Sequence, residues 1–307
     1  MGVGIGVGIA HALGKNKLIV FSAAVAGFIG AFANTVMDGT FALALGAPGN
    51  PIGSYVVTMF TVEIASLYAG KTKLDIILIP LGMMILSMGA IYVAFPFIWL
   101  INQLGTLIAI ATNATPFVMG IVISVIMGIL LTMPTSSAAI WVAVASPILT
   151  GTGASAEQVN AMLLAGGAAA VGCACHMVGF AVASFRENGV GGLISQGIGT
   201  SMLQIPNIMK KPIIMVPQII SSAVCGPLST CVFHLYCDAT GGGMGTSGLV
   251  GVFSTVSSSV SQGLSGVLIG FGVALLFFVL PAAISLGTTE LFRKKGWIKF
   301  GDMKLDN

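Results

Sequence analysis

The sequence predicts an all-α, polytopic membrane protein of about 8–10 transmembrane helices with broken or re-entrant segments between them, on three observations. Charged residues make up only 7% of the 307 positions, where soluble domains carry roughly 25%. Mean hydropathy is +1.04. Apolar runs approaching the roughly 20 residues that a bilayer requires recur along the whole chain. The 42 glycines add two properties: small residues let transmembrane helices approach closely, and they let helices break near a site. A soluble chain with a core of this size would need a charged surface that these residues cannot supply.

A net charge of +3 is too small to argue for nucleic-acid binding. The basic residues cluster at Lys15/Lys17, Lys71/Lys73, Lys210/Lys211 and Arg293/Lys294/Lys295 with Lys299 and Lys304. By the positive-inside rule these segments face the cytoplasm, which divides the chain into a transmembrane domain over 1–290 and a short cytoplasmic tail over 291–307. The cysteines (Cys173, Cys175, Cys225, Cys231 and Cys237) are odd in number and sit in or beside apolar runs. They read as reduced, small hydrophobic residues. Cys173-Ala-Cys175-His176 lacks a second ligand pair and any zinc or haem spacing, so neither a metal nor a cofactor is expected.

Met1 to Leu13, with glycine at positions 2, 4, 6 and 8, is too short to span and reads as a partial or re-entrant helix. Leu18 to Thr35 reads as a span, and a Gly/Pro-punctuated connection follows from Asp38 to Pro51. Ile52 to Ala69 is the next span, with Glu63 inside it. Leu74 to Ile101 is a long apolar segment interrupted by Pro80 and Pro96, the kind that kinks or tilts. A polar connection over Asn102 to Thr115 separates it from a span over Pro116 to Leu131. Thr132-Met133-Pro134-Thr135-Ser136-Ser137 then suggests an unwound helix whose backbone groups are met by hydroxyls.

Trp141 to Leu149 continues as an apolar segment. In the polar loop that follows, Ser155 is placed to cap a helix, with Glu157 in its first turn. That helix, Asn160 to Phe185, is rich in Ala and Gly. Leu193 to Ile208 is too short and polar for a comfortable span and reads as re-entrant or interfacial. Ile213 to Tyr236 spans again. The Gly-rich run from Asp238 to Gly248 excludes a regular helix. Leu264 to Leu286, with Pro281 near its end, is the final span, and Glu290 to Asn307 is charged. One internal echo stands out: Gly197-Ile-Gly-Thr-Ser201 recurs as Gly243-Met-Gly-Thr-Ser247, and paired Gly-broken segments in two parts of a transporter point to its site.

The polar chemistry concentrates in Val171 to Pro212, which holds His176, adjacent Arg186 and Glu187, then Asn188, Gln196, Gln204 and Asn207. In apolar surroundings such groups must find partners or water, because an unpaired one costs several kcal/mol. At about 100° per residue, His176, Phe180, Ala183 and Glu187 fall on nearly one face if the helix persists that far.

Several runs resemble a bacterial membrane-protein family: Val118 to Gly128, Pro134 to Ala139, Gly179-Phe180 with Ser184 to Gly189, Gly197 to Asn207 and Gly243 to Gly251. They are similar to the stand-alone, EIIC-like permease components of the phosphoenolpyruvate-dependent phosphotransferase system, some of which carry the label of a perfringolysin regulatory protein. The resemblance covers most of the chain, from about Gly14 to the final helix. It implies a multi-pass homodimer in the bacterial cytoplasmic membrane that moves a sugar while a separate IIB-type phosphocarrier protein phosphorylates it. The alternative is a membrane sensor that controls gene expression without transport.

A sugar site needs carboxylates and amides to bond hydroxyls, and a carboxylate can also take the proton of the hydroxyl that receives phosphate. The candidate substrate-binding residues are His176, Arg186, Glu187, Asn188, Gln204, Asn207, Thr135, Ser136, Thr246, Ser247 and Glu63. Each has a structural reading beside the functional one. Arg186 and Glu187 form a capped helix end or face a cavity, and His176 bonds a neighbouring helix or a ligand. Glu63 snorkels toward the Lys71 loop or faces a cavity. The hydroxyls at 135–137 and the Gly243–Gly248 loop line a cavity if broken backbone lies at membrane depth. His11 and His234 read as structural.

Overall fold

The computed structural model describes residues 2–33, 35, 49–151 and 153–305. All regular structure among them is helical: α1 (Gly2–Ala12), α2 (Lys17–Ala31), α3 (Pro51–Tyr68), α4 (Asp75–Ala114), α5 (Pro116–Thr132), α6 (Ser137–Leu149), α7 (Ala156–Ala183), α8 (Phe185–Ile194), α9 (Ile205–Lys210), α10 (Val216–Pro227), α11 (Val250–Ser261), α12 (Gly266–Val273) and α13 (Leu280–Lys294). Among the described residues, four continuous stretches are long and apolar enough to cross a membrane: Asp75–Ala114, Ala156–Ala183, Pro212–Phe233 and Gly266–Lys294. Four shorter apolar helices, α1, α2, α5 and α6, accompany them. The chain is an all-α, polytopic membrane protein.

Most boundaries follow local chemistry. Asn50 caps α3, its Oδ1 accepting from the Ile52 and Gly53 amides, and Pro51 occupies the first turn. Ser155 and Gln158 close a reciprocal capping box on α7. The connection expected from Asp38 lies outside the described residues up to position 48. The polar connection expected over Asn102 to Thr115 is instead helix: α4 runs 40 residues with Pro80 and Pro96 inside it. Its polar residues are interspersed with Leu, Ile and Ala, and polarity alone does not stop a helix. The break comes at Thr115, with φ −140° and ψ 70°, because Pro116 disfavours helical geometry at the residue before it. The last helix likewise runs beyond Leu286 to Lys294, through a π-helical turn at Ala274–Val279.

The chain divides into two compact units, residues 1–104 with 142–150, and residues 105–141 with 151–307. In the first, α1, α2 and α3 pack through small residues: a side chain on Gly6 would strike the Ala23 backbone, and one on Gly30 would strike that of Gly53. Ser54 Oγ donates to the Gly27 carbonyl at 2.9 Å. An apolar cluster of Ile19, Ala23, Val62, Ala65, Ile79 and Met83 completes that core.

In the second unit α7 is the central element, with 89% of its most apolar 18-residue window buried. Helices α5, α7 and α10 meet at one junction: Ser124 Oγ donates to the Ser222 carbonyl at 2.8 Å, and Ser222 Oγ to the Gly172 carbonyl at 3.3 Å. Gly172 lies against the Ser124 backbone and Gly226 against that of Gly120. Where surrounding lipid is as apolar as the interior, this close packing and these bonds hold the helices together. Gly172→Leu should therefore force α5 and α7 apart and destabilise the unit by about 3 kcal/mol. Thermal unfolding in detergent checks this, with Gly270→Leu, where an added Cβ meets open space, as the control.

Candidate functional site

The stripe expected to join His176 to Glu187 is broken at Ser184. Helix α7 ends at Ala183, and α8 starts at Phe185 with a non-helical residue inside it, Gly189 at φ 60° and ψ −158°. Only glycine adopts that conformation without strain. A π-helical turn over Ser195–Gly199, a 3-10 turn over Ser201–Gln204 and the short α9 follow. The expected re-entrant segment is thus a chain of short, irregular turns. It sorts the candidate residues into two sets.

The first set holds the C-terminal tail. The Glu187 side chain is fully buried; its Oε1 pairs with Arg293 Nη2 at 2.6 Å, and its Oε2 accepts from the Met303 amide at 2.9 Å. Asn188 brackets the tail, donating to the Met303 carbonyl and accepting from the Leu305 amide, both at 2.8 Å. Gln204 Nε2 donates to the Met303 carbonyl at 3.0 Å and Asn207 Nδ2 to the Lys304 carbonyl at 2.9 Å. Behind them runs an amide relay: Asn207 donates to Gln204 (2.9 Å), Gln204 to Gln196 (2.8 Å) and Gln196 to Ser184 Oγ (2.9 Å). Lys211 Nζ pairs with Asp302 at 2.6 Å. A cavity of about 750 Å³ opens beside this set, lined by Glu187, Asn188, Ser195, Asn207, Lys304 and Leu305 among others.

The second set lies on α5, α7 and the two Gly-rich segments. Thr132 Oγ1 is 2.9 Å from His176 Nδ1 and 3.0 Å from Ser201 Oγ. His176 is fully buried, and its Nε2 finds no partner among the described residues. The sequence echo meets itself: Thr246 Oγ1 donates to the Gly197 carbonyl at 2.7 Å, and Ser247 Oγ to the Gly199 carbonyl at 3.0 Å. Ser137 Oγ, at the start of α6, donates to the Gly243 carbonyl at 2.7 Å. Thr135 and Ser136 are exposed at the α5–α6 turn, Thr135 donating to the Leu130 carbonyl and Ser136 accepting from the Ala139 amide. This set offers hydroxyls and backbone carbonyls without a net charge, groups that suit a neutral polyhydroxylated solute.

Two candidates stand apart. Arg186 does not pair with its neighbour Glu187; it is mostly exposed and reaches Glu290 at 3.2 Å, which Arg293 also contacts at 3.0 Å. Glu63, in the first unit, is half-exposed and paired with Lys15 at 3.1 Å rather than with the Lys71 loop. Among the described residues the five cysteines are unbridged, and no group of three His, Cys, Asp or Glu side chains is placed to hold a metal.

Arg293, Thr132 and Ser201 are the participants that sequence reasoning left out. Arg293 read as one of a basic cluster, and nothing local distinguishes it from Lys294. For Thr132 a signal existed: it opens the hydroxyl-rich Pro134 segment and lies four residues after Gly128, whose missing side chain makes room for the His176 ring.

Two outcomes follow from the tail set. Glu187→Gln should cost about 3 kcal/mol, because it leaves Arg293 without its buried counter-charge. Arg186→Gln, at an exposed pair, should cost less than about 1 kcal/mol; thermal unfolding of both variants checks the contrast. Burial pushes the Asp302 carboxyl up, but the bonds from Lys211 and from the Lys299 amide outweigh it and hold the group below its ordinary 3.8. A carboxyl that is a stronger acid when folded contributes fully above the unfolded value and loses that contribution as pH falls through the folded one. Trp297 emission, reporting the tail, should therefore shift below about pH 4 in the unaltered chain, and Asp302→Asn should remove the shift.

A family model described as phosphotransferase system, EIIC, matches residues 1–305. No curated protein and no solved structure matches the chain, and nothing in the comparisons supports the sensor reading. With one family model covering the chain from its first residue to the strapped tail, the protein belongs to the phosphotransferase system EIIC family, the membrane permease components of that system.

Proposed function

We propose that this permease moves a sugar or a similar small polar solute, which a separate IIB-type phosphocarrier protein phosphorylates, and that it works as a homodimer in the bacterial cytoplasmic membrane. The observation that carries the reading is the meeting of the two Gly-x-Gly-Thr-Ser segments through Thr246 and Ser247. Broken backbone within a membrane protein is tolerated where protein buries it or a cavity hydrates it, and paired broken segments are where transporters hold solute.

In this reading Thr246, Ser247, Thr135 and Ser136 supply hydroxyls to the solute. His176 acts behind them, holding Ser201 through Thr132. Glu187, Asn188, Gln204 and Asn207, with Arg186 at their edge, form the second station, beside the cavity of about 750 Å³. There the amides bond sugar hydroxyls, and Glu187 orients the hydroxyl that receives phosphate once Arg293 has yielded it. Glu63 serves the first unit as the partner of Lys15. In this reading the phosphoryl group comes from the partner protein and the permease supplies position.

Uptake of labelled sugars into vesicles, with and without phosphocarrier proteins, tests this. A sugar that accumulates only with the carriers is the expected result. Thr246→Val should lower that uptake about tenfold by leaving the Gly197 carbonyl unpaired, while the variant still elutes as folded protein. Absence of uptake and of binding for every sugar tried would refute the proposal.

A further inference from the structure

The tail after α13 has two faces, and the contacts above fix which way each points. Ile298 and Met303 are buried among Phe180, Ala183, Ile208 and Ile214. Residues 302–305 are tied down by Lys211, Glu187, Asn188, Gln204 and Asn207. The turn between these anchors therefore presents the opposite face outward. Trp297 is 47% exposed and Phe300 72%. Trp297 is held edge-on to Phe292 with ring centroids 5.0 Å apart, and Lys295 Nζ sits 4.8 Å from the Trp297 ring centroid.

The charges on that face are unbalanced. Lys294, Lys295 and Lys299 are exposed, and none forms an ion pair among the described residues. Nearby Arg186, Arg293 and Lys211 all do. The carboxylates of this region, Glu187, Glu290 and Asp302, are already engaged by those three. The position in the fold adds a third constraint. Gly266–Lys294 is one of the stretches apolar enough to cross a membrane, so the residues just after it emerge at a membrane–water interface. Aromatic rings and lysines concentrate at that depth, and the lysines are drawn to anionic headgroups.

We propose that Lys294, Lys295, Trp297, Lys299 and Phe300 form a binding surface for the anionic lipids of the bilayer that the last helix crosses. The two rings enter the headgroup layer, and the three ammonium groups pair with lipid phosphates. An acidic protein partner would also seek the lysines and the rings, but the place of this surface directly after a membrane span argues for the lipid headgroups that lie at that depth. The surface and the strap share one short turn, so lipid bound outside holds Met303 against Glu187 and Asn188 inside.

In lipid nanodiscs, Trp297 fluorescence can be taken as the difference between the unaltered chain and W297F. At low salt, brominated phosphatidylglycerol should quench it about threefold more strongly than brominated phosphatidylcholine at equal mole fraction. The ratio should fall toward one in K294Q/K295Q/K299Q and, without any substitution, as salt is raised. As a readout independent of the variants, the unaltered chain should keep anionic in preference to zwitterionic lipid through detergent exchange, read by native mass spectrometry. Equal quenching by the two lipids at low salt, or a preference that survives the triple substitution, would overturn the proposal. So would shielding of Trp297 that arises only when a phosphocarrier protein is added.

Discussion

Glu187 imposes the strongest single demand on the second unit. Its side chain is fully removed from solvent, and an uncompensated carboxylate there would cost several kcal/mol. Arg293 supplies the counter-charge across 106 positions of sequence, and the Met303 amide takes the other oxygen. The end of the last helix and the tail must therefore return to the break after α7. Once they do, Asn188, Gln204 and Asn207 find tail carbonyls and amides within reach, and the amide relay back to Ser184 is satisfied in the same step. The break at Ser184 serves the same demand, since it redirects the chain between the end of α7 and Asn188, which bonds residues 303 and 305.

A second constraint acts on backbone rather than charge. The segment after the π-helical turn at Leu228–Phe233 leaves helix at His234, whose φ of 47° is left-handed, and its polar groups need partners inside the protein. The Leu235 amide donates to the Ser229 carbonyl, the Cys237 amide to the Leu163 carbonyl and the Tyr236 amide to Ser259 Oγ, all at 2.9–3.0 Å. Trp141 Nε1 reaches the Asp238 carbonyl at 3.3 Å. Gly166 and Gly167 of α7 leave room for the Cys237 and Leu235 carbonyls, where any side chain would collide. The same helix thus packs against α5 through Gly172 and receives irregular chain through Gly166 and Gly167, which explains why so much of it is Ala and Gly.

What was legible in the sequence reflects how local each cause is. Apolar runs, Ser155 as a cap and the loop from Asp238 are settled by neighbours within a few residues, and all were readable. The α4 boundary was not, because Asn102 to Asn113 mixes polar residues with Leu, Ile and Ala and contains no proline; the helix runs through Gly105 and ends only before Pro116. The polar cluster at 176–207 was visible as an anomaly, but its partition was not, because the residues that divide it, Arg293 and Met303, lie about a hundred positions away. The Gly-x-Gly-Thr-Ser echo was readable as a repeat. That its two copies touch, hydroxyl to carbonyl, is a tertiary fact that no local pattern encodes.

The two sets differ in how easily they could exchange an internal partner for a solute. A neutral amide or hydroxyl that swaps a backbone carbonyl for a sugar hydroxyl trades one bond for an equivalent one, and each such bond is worth only about 0.5–1.5 kcal/mol net. Asn188, Gln204, Asn207, Thr246 and Ser247 are all of this kind. Glu187 is not, because parting it from Arg293, which keeps Glu290, strands the buried carboxylate unless another cation or a proton replaces it, at a cost of about 3–5 kcal/mol. In the proposed transport cycle the order follows from these magnitudes. The amides and hydroxyls trade partners first and at little cost, and the tail loosens as its carbonyls are released. The carboxylate changes hands last, when a solute hydroxyl is in place to give it a hydrogen bond and then its proton, and the negative charge of the incoming phosphoryl group is in place to take over Arg293.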